Sequence, residues 1–323
     1  MTILLTGAAG FIGMHVAQAL LARGERVVGV DNLTPYYDVR LKQARLERLQ
    51  TQAGFSFVQA DVADRDVMLP LAASRPEVTR VVHLAAQPGV RHSLVDPFAY
   101  VEANVMGQLV MLEFARRQPR LEHLVYASSS SVYGGNRKLP FAESDRVDHP
   151  VSLYAATKRS AELISESYAH LFGLSQTGLR FFTVYGPWGR PDMAPWMFAD
   201  AIISGRPVTL YDGGRLKRDF TFVDDIVAGV LGCLDHPAEG ARPRVLNIGN
   251  NRSVEVRHFV EVLESALGRR AVIVDTPRPA TDVEETFADI SAIQALCGFT
   301  PRTPIEVGVP RFASWYLSWR EGG

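Results

Sequence analysis

The sequence predicts an α/β protein: a doubly wound, Rossmann-type parallel sheet with a smaller C-terminal α/β region interleaved with it. Three observations carry this. Short apolar runs of the kind shown by strands buried on both faces alternate with amphipathic helical stretches through the first half of the chain. The first strand-to-helix junction is rich in glycine. Strands separated by helices close most naturally as a parallel sheet with right-handed crossovers.

Ile3, Leu4 and Leu5 form the first apolar run, and a glycine turn follows. Phe11, Ile12, His15, Val16, Ala19 and Leu20 then recur at helical spacing until Gly24 stops the helix before a second strand over 26–30. The alternation continues with a helix marked by Leu41, Leu46 and Leu49, a strand over 55–59 and a helix over 64–73. A strand over 80–84, a helix over 97–117, a strand over 123–127 and a helix over 152–172 complete the regular part. Past Arg180 the rhythm loosens, with Gly186-Pro187, Arg190-Pro191, Pro195, Arg206-Pro207 and Gly213-Gly214 punctuating short elements. Residues 220–234 read as a helix returning to the main sheet, and 256–267, 290–296 and 305–319 as helices of the second region.

The composition narrows the function. In 323 residues, 34 basic and 35 acidic side chains nearly cancel, which gives no general attraction to nucleic acid or to an anionic membrane. Cys233 and Cys297 are the two cysteines, in neither a CxxC nor a zinc-like spacing, so no metal is expected and a reducing compartment fits. With no signal-like start and no apolar run long enough to span a bilayer, the expected location is the cytoplasm.

Gly7, Gly10 and Gly13 form a GxxGxxG turn between strand and helix. Such glycines allow a tight turn, a close approach to a pyrophosphate and intimate helix packing, and Phe11 and Ile12 open the helix whose N–H groups would meet the anion. Asp31, at the end of the second strand, suits the adenosine ribose hydroxyls and disfavours a 2′-phosphate, so NAD is the expected cofactor. Asp31 followed by Asn32 is also a good turn cap. Asp61 and Val62 close the third strand where the adenine would lie. Tyr154 and Lys158 sit one helical turn apart on one face, a spacing that lets an ammonium, with a positive nicotinamide ring, draw the phenol toward neutrality as a general acid/base. Ser128, Ser129, Ser130 and Ser131 follow the strand that ends at Ala127, where a hydroxyl can share the substrate proton. His83 reads as a satisfied core histidine, Asn104 as a buried hydrogen-bonding residue near the site, and Trp315, Tyr316 and Trp319 as a packing face.

Taken together, the glycine turn, Asp31, Leu84-Ala85-Ala86-Gln87, the serine run before Val132-Tyr133-Gly134, and Tyr154 with Lys158 resemble the extended short-chain dehydrogenase/reductases over nearly the whole chain. Within them the sequence is most similar to the bacterial UDP-glucuronate 4-epimerases. The similarity lies in Asp31-Asn32-Leu33 with Tyr36-Tyr37-Asp38, in 87–93, in 185–193 and in Lys217-Arg218-Asp219-Phe220. The resemblance implies NAD, a UDP-sugar substrate and a homodimer formed through the helices at 97–117 and 152–172. It implies Ser129, Tyr154 and Lys158 as the catalytic group, and Leu84, Ala85, Ala86 and Gln87 beside the cofactor. Ser130, Ser131 and Thr183 would line the sugar carboxylate, and Arg91, Arg190, Arg218 and Asp282 the rest of the nucleotide sugar. Pro88 and His92 stand where the family usually has alanine and tyrosine, and Thr281 where it has glycine.

Related dehydratases and decarboxylases carry acidic residues just before Val-Tyr-Gly, where this chain has Ser130 and Ser131. The expected activity is therefore 4-epimerisation. A UDP-glucose or N-acetylhexosamine epimerase, a UDP-glucuronate decarboxylase and, outside catalysis, an NAD-binding redox sensor are the alternatives. The expected division is 1–182, rejoined by about 219–248, for the cofactor and mainly 183–323 for the nucleotide sugar.

Overall fold

The structure, a computed structural model, describes residues 1–239, 242–278 and 283–322. The chain begins β1 (Thr2–Thr6), α1 (Phe11–Ala22), β2 (Arg26–Asp31), α2 (Val39–Gln50), β3 (Phe55–Gln59), α3 (Arg65–Ser74) and β4 (Arg80–His83). A helical rod in three pieces follows: α4 (Pro97–Tyr100), a π-helical stretch over Val101–Met106, and α5 (Gly107–Ala115). Next come β5 (His123–Ser129), α6 (Leu153–Phe172), β6 (Gln176–Phe181), β7 (Thr183–Tyr185), α7 (Ala194–Ser204), β8 (Pro207–Tyr211), β9 (Lys217–Arg218) and β10 (Phe220–Phe222). The chain closes with α8 (Val223–Asp235), β11 (Arg244–Ile248), β12 (Val254–Glu255), α9 (Val256–Leu267), β13 (Val272–Thr276), α10 (Ser291–Cys297) and α11 (Ile305–Gly322).

Seven strands make one sheet in the order β11-β6-β5-β4-β1-β2-β3, parallel at every pairing. This is the doubly wound fold the sequence predicts. Because side chains alternate across a strand, Ile3 and Leu5 join the core layer that includes α1 and α8, while Leu4 faces the opposite layer of Val110, Met111 and Phe114. Chain order reverses between β1 and β4, which opens a crevice at the carboxyl ends of those strands. Three two-stranded ladders, β10-β7, β12-β9 and β13-β8, build the other wall.

Several boundaries differ from the sequence reading. The helix expected over 97–117 is broken by the π-helical stretch and ends at Ala115. Residues 220–234 are not all helix: Phe220–Phe222 pairs with β7 as a strand, and the helix starts at Val223. The strand expected over 123–127 runs on to Ser129, because Ser128 and Ser129 pair with Arg180 and Phe181 of β6. The helix expected from 64 starts at Arg65, with Asp64 as its cap accepting from Asp66 N at 2.9 Å and Val67 N at 3.3 Å. β6 and β11 have no counterpart in the sequence reading.

Candidate active site

The glycine turn is closed by main chain alone. Gly7 N donates to Val30 O at 2.8 Å and Gly10 N to Gly7 O at 2.9 Å. Gly7 has φ 73°, and a Cβ there would stand 2.8 Å from Ala85 N. A Cβ on Gly13 would lie 2.0 Å from Gly7 O, so helix α1 meets the turn at a distance only glycine permits. Gly10 caps α1 without a side chain, leaving the first N–H groups of that helix to the crevice. These residues, with Phe11 and Ile12, line a cleft of about 1200 Å³.

Asp31 is buried at the end of β2, and both of its oxygens are engaged. One accepts from Ala9 N at 3.1 Å and the other from Leu33 N at 2.9 Å. Asp31 is thus a turn cap as well as a cleft residue, and Lys42 Nζ stands 3.8 Å from it. Asn32 donates to Asp61 at 2.8 Å, and Asp61, Val62, Leu84, Ala85, Ala86 and Gln87 line the same end of the cleft. Gln87 is clamped in both directions by Asn104, which accepts from Gln87 N at 2.8 Å and donates to Gln87 O at 3.1 Å and to Thr157 at 3.1 Å. His83 is buried and paired to Thr6 at 2.7 Å. Burial holds its pKa down near 3, with the Lys158 charge as a second cause, so it stays neutral.

Ser129, Tyr154 and Lys158 line the same cleft. Helix α6 begins at Ser152, whose hydroxyl accepts from Ala155 N at 3.1 Å, and this start presents Tyr154 and Lys158 on one face. Lys158 Nζ donates to Ala127 O at 3.0 Å, and burial brings its pKa down to about 8. The Tyr154 phenol behaves differently from the expectation. Burial pushes it above the ordinary value, and its hydrogen bond with Ser129 and the Arg190 charge offset that only in part.

Beneath the serines lies a buried polar network that sequence reasoning missed. Ser128 Oγ donates to Glu162 at 2.6 Å, and Arg180 grips the same carboxylate with two bonds of 2.9 Å. Arg180 also donates to Tyr133 Oη at 3.1 Å, which in turn donates to Asn247 at 2.6 Å. Burial opposes the charge on Glu162, but Arg180, with Ser128 and Arg159, outweighs it and holds the carboxyl below its usual range. Glu162 lies one helical turn beyond Lys158, so the network ties the catalytic helix to β5 and β6.

Ser130, Ser131, Thr183, Arg91, Arg190 and Arg218 all line the same cleft. Arg190 binds Asp192 through Nε at 3.0 Å and Nη2 at 2.5 Å, and Tyr36 Oη donates to Asp192 at 3.0 Å across the cleft mouth. Arg91 rests over the Tyr211 ring at 5.9 Å, and Arg218 donates to Glu284 O at 3.2 Å. Asp282 and Thr281 lie outside the described residues. Lys42, Tyr36 and Asp192 line the cleft as well. Tyr36 and Asp192 fall inside strings that carry the family resemblance, a signal that could have singled them out, whereas Lys42 sits in an ordinary amphipathic helix. His92 packs edge-on to Tyr36 at 4.9 Å. Trp315 and Trp319 stack on each other and meet Trp188, a packing face that does not itself line the cleft.

A dinucleotide-type crevice at the switch point of a doubly wound sheet, with a serine, a tyrosine and a lysine converging inside it, defines an extended short-chain dehydrogenase/reductase. The chain belongs to the NAD dependent epimerase/dehydratase family, whose model matches residues 3–249. It is 49% identical over 333 residues to a probable UDP-glucuronate 4-epimerase of Rhizobium meliloti, covering 98% of this chain and 97% of that one. It is 45% identical over 337 residues to UDP-glucuronate 4-epimerase 3 of Arabidopsis thaliana, covering 100% of this chain and 78% of that one. Among solved structures, UDP-glucuronic acid 4-epimerase from Bacillus cereus, in complex with UDP-glucuronic acid and NAD, matches with a TM-score of 0.91 at 32% identity, covering 99% of this chain and 100% of that one.

Proposed function

We propose that the chain is an NAD-dependent epimerase that interconverts UDP-glucuronate and UDP-galacturonate by inverting sugar C4. The observation that carries this reading is one cleft holding Ser129, Tyr154 and Lys158 between a glycine cradle and a wall of hydroxyl and guanidinium groups. The residues present fit NAD: Gly7 and Gly13 let the turn and α1 close at distances a Cβ would forbid, Gly10 caps α1 without a side chain and leaves its first N–H groups for a diphosphate, and Asp31 is the carboxylate for the adenosine ribose. Residues 1–182 with 219–248 would hold this cofactor, and 183–323 mainly the nucleotide sugar.

Bound NAD supplies reversible hydride exchange with sugar C4. Tyr154 takes the C4 hydroxyl proton as general base while Ser129 shares that hydrogen bond, leaving a 4-keto sugar. Burial raises this phenol, so the positive nicotinamide ring of bound NAD together with Lys158 would have to draw it down to the phenolate. Lys158, an ammonium for most molecules at neutral pH with its pKa near 8, favours that phenolate and holds the nicotinamide ribose. The sugar turns about its diphosphate, which Arg190 and Arg218 anchor by charge-assisted hydrogen bonds. Tyr154 then returns the proton as C4 is reduced from its other face. The keto sugar is also a β-keto acid, which loses carbon dioxide if its C5–carboxylate bond stands perpendicular to the ketone plane. Ser130, Ser131 and Thr183 offer short hydroxyls that hold the carboxylate out of that alignment.

The test is to incubate the purified protein with UDP-glucuronate and follow the anomeric NMR signals. New UDP-galacturonate is expected. UDP-xylose in its place would make the chain a decarboxylase, and an unchanged spectrum with every UDP-sugar would favour the redox-sensor alternative.

The chain also pairs with a second copy, in the cytoplasm, through the helices at 97–117 and 152–172. Phe98 is 82% exposed on the first of these and Leu163 54% exposed on the second. Among the described residues no helix is long and apolar enough to cross a membrane. Sedimentation should give twice the mass of the 35.6 kDa chain, and a single-chain mass at micromolar concentration would rule the pairing out.

A further inference from the structure

Arg45 is one of the large side chains that are fully buried among the described residues, and it does not line the cleft. It is carried by α2, yet its guanidinium binds four oxygens from three distant places. Nη1 donates to Ala9 O in the glycine turn at 3.1 Å and to Tyr37 Oη at 2.6 Å. Nη2 donates to Trp188 O at 2.6 Å and Gly189 O at 3.1 Å, in the loop between β7 and α7. His15 of α1 holds the preceding carbonyl, Pro187 O, at 3.0 Å. A carbonyl only accepts, so His15 must carry its proton on Nε2, and burial keeps the ring neutral by lowering its pKa. Three consecutive carbonyls of the substrate-side loop are therefore held by two side chains from the cofactor side.

That loop needs holding. Trp188 has φ 63°, a left-handed conformation that non-glycine residues seldom take, and its ring is pinned by the Arg48 guanidinium at 5.1 Å. Arg190 follows one residue after the last held carbonyl and lines the cleft, with its own guanidinium set by Asp192 and Tyr36.

We propose that Arg45 and His15 are positioning residues: they fix the 187–189 backbone so that Arg190 enters the cleft in register with the glycine turn, whose Ala9 carbonyl Arg45 also holds. Recognition of the nucleotide diphosphate then depends on two residues on the cofactor side that do not line the cleft. This deepens the proposed function and rests on its assignment of Arg190 to the nucleotide sugar.

The test compares the holoenzyme with His15→Leu, which removes the donor, and His15→Gln, whose Nε2 can replace it. Arg45→Lys is the harsher companion, since one ammonium cannot reach four oxygens, and its folding is to be checked by circular dichroism. For His15→Leu the expected result is a KM for UDP-glucuronate raised about tenfold, the loss of about 1.4 kcal/mol that one neutral hydrogen bond accounts for, with kcat within about twofold. Calorimetric affinity for UDP should fall by the same factor, and His15→Gln should restore both. The proposal is overturned if KM and UDP affinity are unchanged in His15→Leu, or if they change without recovery in His15→Gln. UDP titration separates the two claims. A parent protein that binds UDP but leaves UDP-glucuronate unchanged defeats the epimerase reading and still lets the His15 variants be judged by UDP affinity.

Discussion

The two walls of the cleft are built from different materials. Around Gly7, Gly10 and Gly13 the wall is main chain, closed by Gly7 N to Val30 O and packed so closely that a methyl group on Gly13 would overlap Gly7 O. Across the cleft the loop bearing Arg190 is held mostly by side chains reaching over from α1, α2 and the 32–38 loop, among them His15, Arg45 and Tyr36. The first wall is defined by short stretches of chain and tolerates little. The second is assembled from parts more than a hundred residues apart, which suits a surface that must let a sugar turn while its diphosphate stays in place.

The largest effect should come from breaking the main-chain wall. Gly13→Val would force Gly7 O and helix α1 apart, and the purified variant should carry no NAD, read as the loss of cofactor absorbance in the denatured supernatant, with no measurable epimerisation. Retention of a full complement of NAD would show that the close approach is dispensable. Next is the chemistry between the walls. Tyr154→Phe keeps the ring and removes the acid/base oxygen, and kcat should fall by roughly a thousandfold, within the range ascribed to positioned proton transfer. A variant that turns over like the parent would sink the mechanism.

Smaller, and on stability more than rate, is the network behind the serines. Arg180→Met leaves Glu162 buried without its principal partner, and urea unfolding should show a loss of about 3–5 kcal/mol. Its pH dependence sharpens the point. Glu162 has a folded pKa below its ordinary value of 4.5, so the ion pair stabilises the protein above that pH and the contribution disappears as pH falls through the folded pKa. In the parent the unfolding free energy should drop on acidification below about 4.5, and in Arg180→Met that part of the drop should be absent. The smallest effect belongs to the hydroxyl wall. Thr183→Ala should leave kcat within a few-fold while raising the ratio of UDP-pentose to epimer, read by NMR, and an unaltered ratio would remove Thr183 from control of the carboxylate.

What could be read in the sequence follows the same division. The glycine turn, Asp31, and Tyr154 with Lys158 are local patterns in which a few adjacent residues already state their geometry. β6 was not legible because Gln176-Thr177-Gly178-Leu179-Arg180-Phe181 has no apolar run: Arg180 is buried there only because Glu162 from α6 neutralises it. β11 is obscured in the same way by Asn247, which Tyr133 satisfies from across the fold. Arg45 looks like an ordinary polar position on an amphipathic helix, and nothing in the linear order shows that Trp188 O and Gly189 O wait for it. The phenol of Tyr154 teaches the converse. Its spacing from Lys158 was legible, but the effect of burial on its acidity belongs to the packed molecule.

The π-helical stretch at Val101–Met106 has a bearing on how this molecule could vary. It carries Asn104, which reaches inward to fasten Gln87, and it follows a segment whose apolar residues, Leu94 and Phe98, are exposed. A π-turn takes in one residue more than an α-turn, so deleting one residue there would restore a regular helix with its flanks in phase, and what a chain shortened at this point gives up is the inward reach of Asn104 to Gln87.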